Sequence, residues 1–273
     1  MPLVNRVRSR RCLAAAAVVA TAVVTPLITA GPAGAAAQAV TLPPAGANFD
    51  YQIGGAYTPP TGVKVVSRDY TASPAAGLYN ICYVNAFQTQ PGAEGEWEKD
   101  LLLRDSKGNV VYDGFWKEAV LDTRTEDKRK RIAAKVNGWI DTCASKGFKA
   151  VEPDNLDTFD RFSQLNEAGA KDLIKRLADH AHSKGLAIAQ KNTAGFSTER
   201  DATGADFAIA EECGEWDECG DYVEGFGNNV IVIEYKEEYL RKSCSEFGGR
   251  LSIVLRDLDV KPLGDPAYVR KTC

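Results

Sequence analysis

The chain has 273 residues, with 33 Lys and Arg against 37 Asp and Glu and a net charge of −4. That acidic balance argues against a nucleic-acid partner, since phosphate binding needs a basic surface. Only two histidines occur in the whole chain, which disfavours a His-ligated metal centre and a Ser-His-Asp hydrolase. Neither G-x-S-x-G nor a P-loop is present.

Residues 1–37 read as a secretory signal peptide. Arg6, Arg8, Arg10 and Arg11 form a basic region, Leu13 to Ile28 is an Ala-rich apolar stretch, and Gly34 to Ala37 offers an A-x-A cleavage site before Gln38. The apolar stretch falls short of the roughly 20 residues of a spanning helix, so no membrane anchor is expected. Ser9 to Leu13 also has a twin-arginine look. Cleavage removes four arginines and no acid, leaving a secreted, extracellular protein of net charge −8. Residues 38–47 are an Ala/Pro-rich lead-in, expected to be loose, and 48–273 form one domain.

Short apolar runs follow: Tyr51–Ile53, Val63–Val66, Tyr79–Val84, Ala119–Leu121, Phe148–Val151, Leu186–Gln190, Phe207–Ala210, Val230–Ile233 and Leu251–Leu255. Helical spacing lies between several of them. Ile132, Val136, Trp139, Ile140 and Cys143 mark a helix over Asp127–Ser145, and Ala170, Leu173, Ile174, Leu177 and Ala181 mark another over Asn166–Ser183. Strand–helix alternation with near-continuous apolar strands predicts a parallel sheet, and the length fits an α/β fold of the (β/α)8 TIM-barrel class. Nine runs exceed eight strands, so one is surplus, expected near the N-terminus where the links are too short for crossover helices. An open doubly wound sheet is the alternative, but no G-x-G-x-x-G follows an early strand.

The six cysteines beyond residue 37 read as three disulfides stabilising the fold. Proximity assigns Cys213 to Cys219 and Cys244 to Cys273, leaving Cys82 with Cys143. No metal and no cofactor are called for.

The functional signal is the way the strands end. In Gly147 to Asp157, an apolar run delivers Glu152, Asp154 and Asp157 within six residues, with Pro153 expected to stop the strand. Ala119–Leu121 ends in Asp122, Leu186–Ala189 in Gln190-Lys191-Asn192, Phe207–Ala210 in Glu211-Glu212, Val230–Ile233 in Glu234-Tyr235, and Leu251–Leu255 in Arg256-Asp257. A strand running into a polar loop or a helix cap explains any one of these. Six together, ending in acids, amides or a Lys, would gather those groups at one rim of a barrel, where like charges repel unless chemistry needs them. Glycosidic bond cleavage needs such a set: one protonated and one ionised carboxyl, with a cation such as Lys191 helping to split their pKa values. Tyr83, Trp116, Trp216 and Tyr235 are the aromatics available for stacking on sugar faces.

Ile81 to Ala86, Gly147 to Asp157 with its core Glu152-Pro153-Asp154-Asn155, Glu211-Glu212-Cys213, Glu218-Cys219 and Val232 to Tyr235 together resemble glycoside hydrolase family 114. The likeness runs from about Phe49 to Asp259. It implies a secreted β/α barrel acting as an endo-α-1,4-polygalactosaminidase on partly deacetylated galactosamine polymers. It also implies catalysis by Asp154 and an acid of the Glu211-Glu212 pair. Glu211 is preferred because it directly precedes a residue-Cys pair, and the pleat lets only one of the neighbours face the pocket. Tyr83, Asp122, Asn155, Asp157, Lys191, Asn192, Glu212, Glu234, Tyr235 and Asp257 are then substrate-binding or tuning neighbours. The expected partner is a cationic amino-sugar polysaccharide, bound by a monomer. Which carboxyl is the acid stays open. So do a non-catalytic polysaccharide-binding barrel, another amino-sugar polymer, and a divalent-cation site at Glu152, Asp154 and Asp157.

Overall fold

Eight parallel strands, hydrogen-bonded in chain order, form the scaffold in the computed structural model, which describes residues 40–273. The signal-peptide reading lies outside the described residues. The strands are β1 (Phe49–Gln52), β2 (Val65–Asp69), β3 (Tyr79–Asn85), β4 (Ala150–Asp154), β5 (Ala187–Lys191), β6 (Phe207–Glu211), β7 (Val230–Glu234) and β8 (Ser252–Arg256). Strand β8 comes round beside β1, giving the β/α barrel that the alternation predicts. The pleat sorts the residues. Phe49, Tyr51, Ile81, Ala150, Ala189, Phe207, Ile209, Ile231, Ile233 and Val254 point inward as one core. Cys82, Val84, Val151 and Ile188 point outward onto the helices.

The outer helices follow the later strands. Helix α1 (Glu126–Lys146) starts on Thr125, whose side chain accepts the Lys128 N–H, and ends at Gly147 in the left-handed region (φ 90°). The short α2 (Thr158–Arg161) precedes α3 (Glu167–Ser183), which is capped by Asn166. Then come α4 (Arg200–Thr203), α5 (Cys213–Trp216), α6 (Cys219–Phe226) and α7 (Glu237–Phe247). No helix among the described residues is long and apolar enough to cross a membrane.

Three expectations need correction. The surplus run is Ala119–Leu121, not an N-terminal one. It makes only isolated antiparallel bridges to Gln88, Leu102 and Tyr112 within a long excursion between β3 and α1. The N-terminal runs are true barrel strands, β1 to β3, joined in parallel by loops without α-helices. Pro153 does not stop β4, which pairs with β3 through Asp154. The pairing of β4 with β5 ends at Val151, so the missing Pro153 N–H falls where no ladder needs it. The lead-in is docked rather than loose: Val40, Leu42 and Ala47 pack on the barrel core, and the Tyr79 hydroxyl donates to Thr41 O at 2.6 Å.

The disulfides join Cys82 to Cys143, Cys213 to Cys219 and Cys244 to Cys273, as proximity suggests. The last anchors β9 (Arg270–Thr272), which pairs antiparallel with β8. No ladder joins β8 to β1 among the described residues. Arg270 spans this seam instead, donating to Asp50 Oδ1 at 3.1 Å, to Phe49 O at 2.9 Å and to Asn48. Asp50 is fully buried, so Arg270→Ala strands a buried charge. Urea denaturation should show a loss of about 3 kcal/mol. A loss below about 1 kcal/mol, the range of a surface ion pair, would show that the seam closes without Arg270.

Candidate active site

The inward parity of the strands continues to their C-terminal ends and places the polar groups at the barrel mouth. On β4 the inward positions run Ala150, Glu152, Asp154; on β5 they run Ala187, Ala189, Lys191; on β6 they run Phe207, Ile209, Glu211. Tyr51, Ser67 and Tyr83 come from β1, β2 and β3, and Tyr235 follows β7 on the parity of Ile231 and Ile233.

These groups converge on Lys191, which is 1% exposed. Its Nζ lies 3.1 Å from Glu152 Oε1, 3.1 Å from Asp154 Oδ1 and 3.2 Å from Glu211 Oε2. It also donates to the Tyr51 hydroxyl at 3.1 Å. Glu152 lies beneath, wholly buried, accepting from Tyr51 at 2.9 Å and from Ser67. Asp154 and Glu211 sit above, with side chains 18% and 22% exposed to the cleft. The Tyr83 hydroxyl donates to Asp154 Oδ2 at 2.7 Å, and the Tyr235 hydroxyl donates to Glu211 Oε1.

Burial raises the Glu152 carboxyl above its usual range, although Lys191 opposes it. Burial pushes Asp154 the same way, but the Lys191 ammonium and the Tyr83 hydroxyl outweigh it and hold Asp154 below the usual carboxylate range. Lys191 itself would lose its proton on burial alone; the three carboxylates around it drive its pKa well above normal instead. The ammonium occupies the place between Glu152 and Asp154 that the cation reading reserved for a metal, while Asp157 turns to Arg161 at 3.0 Å.

The residue after each inward group is left-handed: Asn155 (φ 65°), Asn192 (φ 53°) and Glu212 (φ 58°). Asparagine tolerates this conformation well, so two of the three turns cost little. Both asparagines brace the site. Asn192 exchanges a pair of hydrogen bonds with Glu211, Nδ2 to Oε2 at 3.0 Å and backbone N to Oδ1 at 2.8 Å. Asn155 donates to Asn85 Oδ1 and accepts from Gln88 and Arg161.

A cleft of about 1190 Å³ opens above these groups, lined by Tyr83, Asp154, Asn155, Asp157, Asn192, Glu211, Glu212 and Tyr235 among others. Phe115 and Trp116, from the excursion after β3, and Trp216, from the loop closed by Cys213–Cys219, also line it and are exposed. Its lining holds eleven carboxylates against a single arginine, Arg161.

Three predicted residues are elsewhere. Asp122 is buried and ion-paired to Arg124 and Lys128 at 2.7 and 2.6 Å, because its strand is not a barrel strand; these partners lower its pKa to about 2 against the pull of burial. Glu234 has outward parity and binds Gly214 N and the Ser243 hydroxyl at 2.9 and 3.0 Å. Asp257 accepts the Lys261 and Val269 N–H groups and braces the C-terminal loop. Sequence reasoning missed Tyr51, Ser67 and Glu118 as site residues. Tyr51 and Ser67 could have been found by continuing the inward parity of β1 and β2; Glu118 lies on the irregular excursion, where no periodicity points to it.

A cleft at the C-terminal rim of a β/α barrel, floored by two acids on one ammonium, is the constellation of a glycoside hydrolase. The chain belongs to glycoside-hydrolase family GH114, whose family model matches residues 29–273. Its fold is similar to that of Aspergillus fumigatus Ega3, solved in complex with galactosamine (TM-score 0.71, 18% identity, 88% of this chain and 100% of that one). It is also similar to the glycoside hydrolase domain of PelA from Pseudomonas aeruginosa (TM-score 0.52, 14% identity, 83% and 98%). The α-galactosidase TtGalA of Thermus thermophilus shares the fold over 79% of this chain and 58% of its own, with a TM-score of 0.52 and 15% identity. No curated protein matches the sequence.

Removing the ammonium by Lys191→Met should cost on the order of 3–5 kcal/mol at pH 7.5, because buried carboxylates lose their counter-charge. In the wild type, the depressed Asp154 contributes stability above the ordinary carboxylate pKa and loses it as pH falls through its folded value. In the variant, the raised carboxyls cost stability at neutral pH and none once protonated. Urea denaturation at pH 7.5 and 4.5 should therefore show a deficit that shrinks in acid; an equal deficit at both would contradict the assignment of charges.

Proposed function

We propose that the protein is a secreted, monomeric, endo-acting hydrolase of α-1,4-linked galactosamine polysaccharide, with Asp154 and Glu211 as its catalytic pair. The observation that carries this reading is the grip of one ammonium on both carboxylates at the floor of an open cleft. Asp154, held ionised by Lys191 and Tyr83, takes the nucleophile's role. Glu211, fixed by Tyr235 and Asn192, takes that of the acid and base. Glu211 gives its proton to the glycosidic oxygen as an Asp154 oxygen attacks the anomeric carbon and the old C–O bond breaks. Glu211 then takes a proton from water, which attacks the same carbon and frees Asp154.

Distances of 3.1 and 3.2 Å to one Nζ leave the facing oxygens closer than the roughly 6.5–9.5 Å of an inverting pair, which supports double displacement and retention. Exposed aromatics from two separate segments, Phe115 with Trp116 and Trp216, line the cleft and support binding within a long chain. The volume exceeds the upper end of ordinary small-molecule pockets, about 1,000 Å³. Eleven lining carboxylates suit protonated amino sugars, and Ega3 was solved with galactosamine. Three disulfides and the N-terminal segment support secretion.

Purified protein should release a ladder of oligomers from partly deacetylated α-1,4-galactosamine polymer, followed by mass spectrometry. Asp154→Asn and Glu211→Gln should each lower kcat at least about a thousandfold. Proton NMR of the first product should show the α-anomer. A β-anomer appearing first would contradict double displacement, and an Asp154→Asn variant of undiminished activity would overturn the pair.

A further inference from the structure

The acids near Asp154 differ in what answers their charge. Glu152 faces Lys191, and Asp157 faces Arg161. Glu118 makes no ion pair among the described residues, and Arg161 acts on it only from a distance. Its Oε2 accepts only amide N–H groups, from Asn85 at 2.9 Å and Asn155 at 3.4 Å. Its Oε1 has no hydrogen-bond donor among the described residues and is not sealed from solvent, while Glu118 lines the cleft and is otherwise buried. A nearly buried carboxylate with one oxygen free toward a cleft is costly unless a cation comes to it.

We propose that Glu118 is the specificity residue that reads the free amino group on the reacting sugar, taking a protonated primary amine against its open oxygen. This rests on the reading of the cleft given above. Bond attack at Asp154 places the anomeric carbon beside that residue, and the amine hangs from the adjoining ring carbon, so only groups next to Asp154 can reach it. Glu118 meets that condition: it accepts from Asn155, the residue that follows Asp154, and lines the same cleft.

The excursion holds Glu118 rigidly. Asp113 binds the Phe115 and Trp116 N–H groups, and its other oxygen accepts from Arg161. Glu118 O accepts the Asp113 N–H at 2.8 Å. Trp116, two residues from Glu118, is exposed on the same wall, so a sugar stacked there brings its amine past the carboxylate. Burial, then the charges of Asp154 and Asp113, opposed by Arg161, raise the Glu118 carboxyl to about 7. An arriving ammonium favours its ionised form. An N-acetyl group is neutral and offers no such return, so the same wall discriminates against it.

The test compares wild type with Glu118→Gln, which keeps the side-chain shape, and Glu118→Asp, which keeps the charge but withdraws it. Each is measured on fully deacetylated and fully N-acetylated α-1,4-galactosamine oligomers, by turnover and by titration calorimetry, with thermal melting as the check of folding. Glu118→Gln should raise KM and weaken binding at least tenfold for the deacetylated oligomer, leave kcat within threefold, and leave the acetylated oligomer unaffected or improved. Glu118→Asp should fall between. Equal effects on both oligomers, or a loss of kcat on both, would overturn the assignment. If wild type cleaves neither oligomer, the hydrolase reading fails, yet calorimetry still decides whether Glu118 selects the amine.

Discussion

A single buried ammonium organises this molecule's mouth. Lys191 is nearly inaccessible, yet three carboxylates from two strands lie within a hydrogen bond of it. Burying one of those acids alone would neutralise it, and burying the lysine alone would deprotonate it. Together they keep Lys191 an ammonium and Asp154 a carboxylate, and the two upper acids reach the cleft from fixed positions. Placing reactive groups before the substrate arrives is what makes such an array useful, because little reorganisation remains at the moment of reaction. Glu152 and Ser67 form the layer below, which makes the lysine's position a property of the barrel core rather than of a loop.

The backbone cooperates at the same height. Strands β4, β5 and β6 each end on an inward functional group and leave through a left-handed residue. The asparagines at two of these turns return their side chains to the site, so the feature that ends the strand also braces Glu211 and the wall around Glu118. The Cys213–Cys219 link closes the third turn and carries Trp216 to the rim. The excursion before α1 also lines the cleft, so two irregular segments on a regular barrel shape it.

Much of this was legible in the residues. Alternating apolar runs and helical spacing predicted a parallel barrel, and the acids at the ends of β4 and β6 predicted the rim. The failures have physical causes. Ala119–Leu121 is apolar because Ala119 and Leu121 pack into the core beneath the helices and Val120 into a satellite core with Leu103 and Leu165, and apolarity alone does not distinguish that from a barrel strand. Asp122 was misplaced with it. Glu234 could have been avoided: Ile231 and Ile233 share the inward parity of Tyr235, which turns Glu234 outward onto Gly214. Glu118 was not legible, because its position depends on contacts with Asn85 and Asn155 that are distant in sequence.

The most direct test of the central claim is to trap the glycosyl–enzyme species. A 5-fluoro glycosyl fluoride of galactosamine, which slows release of the intermediate, would be incubated with the protein and the labelled peptide mapped by mass spectrometry. If Lys191 keeps Asp154 ionised as the attacking group, one equivalent of sugar is bound and the label maps to Asp154. A label on Glu211 would reverse the roles, and complete hydrolysis without any adduct would contradict a covalent pathway at this ammonium-held pair.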